Sequence, residues 1–277
     1  MIRAEAGSEP GSLLARAQSR VPGAAAAAYY AVAFYVAMAV FGVSCLLWSL
    51  PASLLHRVLP RRIGEPLGQW GIMAGFRWAL WLMRALRVVR VDLSPLDALR
   101  DERSIVVASN HPTMMDAVLL ISRLPRVVCI TKAALWDSPF LGGGVRLAGY
   151  VRNDAPLPMI RRAAEAVREG RQLLVFPEGS RTARPPIDRF TRGFAVMART
   201  AGAPIQTVLI EADSPYLRKG WPLLRRPALP LVFRVRLGER FTTDRDADAA
   251  VAGLEASFRR ELRNAGTGGN AEGSAAA

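Results

Sequence analysis

The sequence predicts an α/β domain, with a central mostly parallel sheet flanked by helices, preceded by an N-terminal membrane-embedded helical segment. Two observations predict it. Beyond residue 86, short apolar and β-branched runs alternate with stretches of helical periodicity, the pattern of strands joined by helical crossovers. Residues 24–50, by contrast, carry no charged side chain at all, which is the composition of a helix bathed in lipid.

With 277 residues, the chain can hold one large α/β domain and an anchor, but not two domains with separate cores. Four segments are expected. Residues 1–23 are small, polar and basic (Arg3, Arg16, Arg20), are broken by Pro10 and Pro22, and are expected to lack stable structure. Residues 24–86 form the expected membrane anchor. At about 1.5 Å per residue, the uncharged run crosses a hydrocarbon core of roughly 30 Å. It is longer than the apolar core of a signal peptide, about 7–15 residues, and starts far from the N terminus, so an anchor is expected in place of a cleaved signal. Arg16 and Arg20 precede it and Arg57, Arg61 and Arg62 follow, so the distribution of positive charge gives no orientation. The stretch 67–86 carries Trp70, Trp78 and Trp81 and is interrupted by Gly68, Gly71, Gly75 and Arg77, which suits an interfacial helix. The two helices together would enter and leave the membrane on one side.

Residues 87–263 form the expected catalytic domain. Strands are predicted at 88–93, 104–108, 127–131, 173–176, 205–211 and 231–237, and helices at 114–122, 159–169, 193–201 and 247–263. In such a sheet, ligand-binding residues gather at loops beyond the carboxyl ends of the strands. Residues 264–277 are mostly glycine, alanine and serine and are expected to be a disordered tail.

Lysine and arginine number 37 against 23 acidic residues, and nearly all of the excess is arginine, which suits phosphate-bearing partners. The apolar composition and the lack of a zinc-finger or RNP pattern point to membrane and phosphorylated substrate over nucleic acid. Two cysteines, Cys45 and Cys129, can build neither a disulfide framework nor a zinc site.

Chemistry concentrates in two motifs. The strand at 104–108 runs into Ser109-Asn110-His111, and Pro112 stands where a helix is expected to start. Asp116 lies five residues after His111, about 140° around an ideal helix, so the pair can meet only if His111 precedes the first turn. There one imidazole nitrogen can pair with the carboxylate while the other faces substrate as a base. The plainer alternative is a helix N terminus capped by both residues. His56, the other histidine, sits beside the anchor with no carboxylate before Glu65, leaving His111 as the candidate imidazole base. The second motif, Phe176-Pro177-Glu178-Gly179-Ser180-Arg181-Thr182, ends a buried strand in a turn whose amides, hydroxyls and guanidinium can cradle an anion.

The pair resembles the glycerolipid acyltransferase family, which includes bacterial 1-acyl-glycerol-3-phosphate acyltransferases and carries NHxxxxD and FPEGTRS. Here the motifs read NHPTMMD and FPEGSRT, with the hydroxyls on either side of Arg181 exchanged. Gly149-Tyr150-Val151-Arg152-Asn153 looks like the family's second motif, and Ala203-Pro204-Ile205-Gln206-Thr207-Val208 is similar to its fourth. The likeness spans residues 104–212. It implies His111 and Asp116 as the catalytic pair, and Asn110, Arg152, Glu178, Gly179, Ser180, Arg181 and Thr182 as acceptor-binding residues, with Glu178 on a substrate hydroxyl or on Arg181.

The reaction implied is transfer of a fatty acyl group from acyl-CoA or acyl-carrier protein to a lysophospholipid hydroxyl. The leading acceptor is 1-acyl-glycerol-3-phosphate, giving phosphatidic acid. Lyso-ornithine lipid, glycolipid and polyene pigment lipid are the alternatives. Membrane lipids are the expected partners and no nucleic acid is expected. No metal or cofactor is implied beyond the acyl co-substrate. The expected place is the inner membrane, with the catalytic domain facing the cytoplasm. A non-catalytic protein that binds anionic lipid through arginines is a rival, as is a hydrolase, although no GxSxG elbow is present. The basic, aromatic loop 213–230 is expected to touch headgroups, to cover an acyl channel, or merely to be solvated. Gly142-Gly143-Gly144 is expected to be a flexible turn.

Overall fold

The computed structural model describes residues 23–242 and 246–274, with side chains described as far as Asn264. The expectation for residues 1–23 therefore falls, apart from Gly23, outside the described residues. Two long helices open the chain: α1 (Ala24–Val58) and α2 (Arg61–Ala85). The α/β domain follows as β1 (Val89–Asp92), a 3₁₀ turn (Ser94–Leu99), β2 (Ile105–Ser109), α3 (Met115–Ile121), β3 (Val127–Lys132), α4 (Ala133–Trp136), α5 (Gly142–Leu147), β4 (Val151–Asn153), α6 (Pro156–Arg168), β5 (Gln172–Val175), α7 (Gly193–Ala201), β6 (Ile205–Ala212), β7 (Leu231–Phe241) and α8 (Ala247–Ser274).

The seven strands form one sheet in the order β1-β7-β6-β2-β5-β3-β4. β6, β2, β5, β3 and β4 run parallel. β7 reverses against β6, and β1 lies parallel to β7 at the edge. Every residue of β2 and β5 is buried, as expected of central strands covered on both faces, so neither shows a period of two in its sequence. The parallel group therefore presents the carboxyl ends of β2, β5, β3 and β4 along one edge, where both motifs begin.

Three sequence expectations change. Helix α3 starts at Met115, so Pro112 lies in the loop before it and not at the first helical position. The Gly142-Gly143-Gly144 run opens helix α5 in place of forming a flexible turn. Its glycines answer close packing: a Cβ on Gly143 would lie 1.9 Å from the Ser49 carbonyl oxygen of α1. The last helix continues through Ser274, past the expected end at 263, because each residue added to a nucleated helix gains one hydrogen bond. Strand β4 went unpredicted, since three residues are too few for a period to register.

The helical hairpin packs tightly on this domain. Ala33, Phe34, Ala37, Ser49 and Ala52 form the buried face of α1. Gly143 N–H donates to Ser49 Oγ at 2.9 Å, and Gln69 of α2 donates to the Ala148 carbonyl at 3.1 Å. On the opposite side of α1, Val32, Val36, Val43, Leu47, Leu50 and Leu54 are exposed, and Trp70, Trp78 and Trp81 of α2 are exposed as well. Their spacing of three, four and seven makes an apolar stripe exposed among the described residues.

Candidate active site

Strand β2 ends at Ser109, and the Asn110 side chain prolongs its pairing. Asn110 Nδ2 donates to the Ile210 carbonyl and Asn110 Oδ1 accepts from Ile210 N–H, both at 2.8 Å. The amide thereby mimics one more rung between β2 and β6. It is buried and spends both ends on the neighbouring strand, so it fixes where the chain leaves the sheet. That is a positioning role, beside the substrate contact that the resemblance implies.

His111 comes next, and Asp116 Oδ2 lies 2.9 Å from its Nδ1. The carboxylate is fully buried, and Thr113 ties the loop back onto it just before α3. Thr113 Oγ1 accepts from Met115 N–H (3.1 Å), while Thr113 N–H and Oγ1–H donate to the two Asp116 oxygens at 2.8 and 2.7 Å. Asp116, in the first turn of α3, thus holds both polar groups of Thr113. The loop before the helix and the histidine share one carboxylate, while the N-cap residue, Met114, makes no side-chain capping bond, so the capping alternative read from the sequence is not what the structure shows. Burial pushes the Asp116 carboxyl above its usual range, and the bonds from His111 and Thr113 oppose that rise. With Nδ1 committed to Asp116, Nε2 is the nitrogen left for substrate, on a side chain 16 % exposed.

The second motif clamps the first. His111 N–H donates to Glu178 Oε1 at 3.0 Å, and the His111 carbonyl accepts from Thr182 N–H at 2.8 Å. Thr182 Oγ1 also donates to Glu178 Oε1 (2.9 Å), and Asp188 N–H donates to Glu178 Oε2 (2.8 Å). Glu178 therefore pairs with the His111 loop and with Asp188, and not with Arg181. Burial raises its carboxyl too, against the pull of those three donors. Phe176 turns out of β5 and stacks on the imidazole, with ring centroids 3.8 Å apart and planes within 14°. The turn that follows has Pro177 at its second position and closes with Gly179 N–H on the Phe176 carbonyl (2.9 Å), with Gly179 at φ 70°.

Ser180 and Arg181 remain only half-buried at the site's mouth. Arg181 Nη1 donates to the carbonyls of Leu217 (2.8 Å) and Arg218 (3.1 Å) in the loop 213–230, leaving its other nitrogens for an anion. Arg152 sits farther along the edge. Sheet register puts Thr131 beside Arg152, and both level with Phe176 and Ser109. Three strand spacings, roughly 14 Å, separate Arg152 from the β2 end. Its Nε lies 2.9 Å from Asp154 Oδ2. Histidine, carboxylate and Arg181 thus converge, whereas Arg152 approaches from the far side of the edge.

Thr113, Phe176, Asp188 and Leu217 belong to this constellation without having been singled out. The contacts of Asp188 and Leu217 bridge segments distant in sequence, and no local pattern announces them.

Residues 90–211 match the family model described as Acyltransferase. The chain is 23 % identical over 229 residues to the 1-acyl-sn-glycerol-3-phosphate acyltransferase of Pseudomonas aeruginosa, covering 80 % of this chain and 84 % of that one. It is 27 % identical over 199 residues to the human 1-acyl-sn-glycerol-3-phosphate acyltransferase beta, covering 67 % and 68 %. Among solved structures, the 1-acyl-sn-glycerophosphate acyltransferase PlsC from Thermotoga maritima superposes with a TM-score of 0.62 at 18 % identity, over 85 % of this chain and 94 % of that one. The matched domain, the shared fold and the interlocked motif pair agree: residues 90–211 carry an acyltransferase domain, similar to those of the glycerolipid O-acyltransferases.

Proposed function

We propose that this chain is a membrane-bound 1-acylglycerol-3-phosphate O-acyltransferase that draws acyl groups from acyl-CoA or acyl-carrier protein. The observation carrying the reading is the Asp116–His111 pair, which leaves Nε2 as a base at a mouth flanked by Arg181. In this mechanism Nε2 takes the proton of the acceptor hydroxyl as its oxygen attacks the thioester carbonyl. Collapse of the tetrahedral intermediate breaks the C–S bond, and the departing thiolate takes the proton from the imidazolium. Asp116 holds the tautomer and stabilises the transient cation. Proton and acyl group both balance with no cofactor, and no acyl-enzyme forms. Arg181, with Arg152, would meet the acceptor phosphate. The names of the Pseudomonas and human relatives favour lysophosphatidate among the possible acceptors.

The anchor is read as lying along one leaflet, the cytoplasmic one of the inner membrane, where acyl thioesters are made. Contacts to the domain extend from Ala27, whose carbonyl accepts from Arg226, to Ser53 beside Arg146. Those 26 residues are about 39 Å of helix, more than the roughly 30 Å of hydrocarbon a spanning helix crosses. A helix held against a folded domain for that distance has only its outer stripe to give to lipid. The test of the function is purified protein given a panel of lyso-lipid acceptors and both donor types, with products weighed by mass spectrometry. Phosphatidate as the dominant product is expected; transfer to water, or preference for lyso-ornithine lipid or a glycolipid, overturns the assignment.

A further inference from the structure

The loop 213–230 is the part of the molecule that touches both the outer face of α1 and the active site. Its tip carries Arg218, Lys219, Arg225 and Arg226, and no acidic residue occurs between Asp213 and Glu239. Leu223 and Leu224 stand 54 % and 69 % exposed beside those charges. The tip is folded and not slack. Trp221 Nε1 donates to the Arg225 carbonyl at 3.0 Å, and the Arg225 guanidinium lies over the Trp221 ring, 5.0 Å from its centroid. Two hydrogen bonds of 3.1 Å seat it on α1, one from Tyr35 Oη to the Leu224 carbonyl and one from Arg226 to the Ala27 carbonyl. Tyr35 lies between Val32 and Val36 of the exposed stripe, so the two leucines extend that stripe.

The inner end of the same loop is Leu217. This leucine is buried and held at φ 59°, a left-handed conformation that a side-chain-bearing residue keeps only when its surroundings enforce it. In that conformation its carbonyl accepts from Met114 N–H (3.2 Å), at the start of α3, and from Arg181 (2.8 Å). One residue therefore links the basic tip to the guanidinium of the second motif.

We infer that the tip of this loop is a second membrane-contacting surface, which meets an anionic phospholipid bilayer and thereby holds Leu217 and Arg181 in place. Leu223 and Leu224 enter the headgroup boundary while the basic residues meet lipid phosphates. Each cation near such a surface strengthens binding about fivefold at physiological ionic strength. The coupling to Arg181 rests on the acyltransferase reading; the membrane contact does not.

The experiment uses the full chain. A Leu224→Cys variant in a Cys45→Ala background carries an environment-sensitive fluorophore, and Asp101→Cys, before the amino end of β2, serves as the reference position. Vesicles of phosphatidylcholine and phosphatidylglycerol are expected to shift the 224 probe to the blue and not the 101 probe. Pure phosphatidylcholine or high salt is expected to weaken the shift. No shift, an equal shift with neutral vesicles, or a shift produced by acidic carrier protein alone overturns the surface. Turnover of a short-chain, water-soluble lysophosphatidate is then measured with and without the anionic vesicles. Vesicles are expected to raise the wild-type rate about threefold or more, and Leu223→Ser with Leu224→Ser to abolish the rise. Equal stimulation of that variant, or none of the wild type, overturns the coupling. A chain that acylates no lysophospholipid in any assay fails as this acyltransferase, while the fluorescence result still decides the surface.

Discussion

The two flanks of the active-site mouth are built differently. On the β2 side, Asn110, Asp116, Glu178 and Thr182 are buried, and the hydrogen bonds described above all go to protein partners. On the arginine side, Arg181 leans on two loop carbonyls and Arg152 on an exposed Asp154. The first flank holds one imidazole in one orientation, and small shifts there move a reacting atom. The second presents long, partly solvated side chains that can adapt to the group they hold. On the proposed mechanism the buried flank fixes the chemistry and the exposed one chooses the acceptor.

Substitutions on the buried flank should act on kcat, and the largest effect belongs to His111→Ala. Loss of a general base costs about 10³-fold in rate, and the partly exposed ring leaves melting temperature nearly unchanged. Rate and thermal unfolding measured on one preparation check this; activity near the wild type would dissolve the distinction between the flanks. Asp116→Asn should lose about 10²-fold, the lower end of what a general base contributes, because the imidazole then lacks tautomer control. Its effect on stability has a defined sign. Because burial raises the Asp116 and Glu178 carboxyls in the folded state, the native protein holds protons that the unfolded chain releases, and stability falls as pH rises from the ordinary carboxyl range through the raised values. Removing the Asp116 charge should flatten that fall without abolishing it, since Glu178 titrates with the same sign. Unfolding scans from acid to neutral pH report the slope, and a steeper one would contradict the burial argument.

Asn110→Ala should show a smaller catalytic effect, about tenfold in kcat, with a larger structural one. It strips partners from the buried Ile210 N–H and carbonyl, at about 1–3 kcal/mol each. Unchanged melting with unchanged kcat would show that β2 needs no side-chain rung to place His111.

The same contrast explains what the sequence disclosed. The sheet was legible because central strands such as β2 are continuous apolar runs, and the His111–Asp116 contact because, at a five-residue spacing, the pair can meet where the histidine precedes the first turn. Glu178 was not read against its protein partners, the His111 amide and Asp188, because they lie 67 and 10 residues away, and it does not meet Arg181. The Asn110 partner Ile210, 100 residues distant, was out of reach likewise. Local patterns show which side chains can do chemistry; the tertiary fold decides which of them are spent holding the others. The glycine run of α5 was misread for the same reason, because the Ser49 carbonyl that Gly143 admits belongs to α1.

The smallest expected effects lie on the exposed flank and sharpen the comparison most. Arg181→Lys keeps the charge but gives up the planar fork that reaches loop carbonyls and phosphate together. It should raise KM for lysophosphatidate about tenfold while leaving kcat within a factor of a few. Arg152→Gln, acting from roughly 14 Å along the strand edge, should raise KM only about threefold. A long-range charge contribution also weakens with salt, so the Arg152→Gln penalty should shrink as ionic strength rises, whereas the Arg181→Lys penalty, set by geometry, should persist. Measuring both variants at two salt concentrations separates these causes. A fall in kcat with unchanged KM in either variant would move that arginine onto the buried flank's side of the comparison, and would make the choice of acceptor part of the chemistry itself.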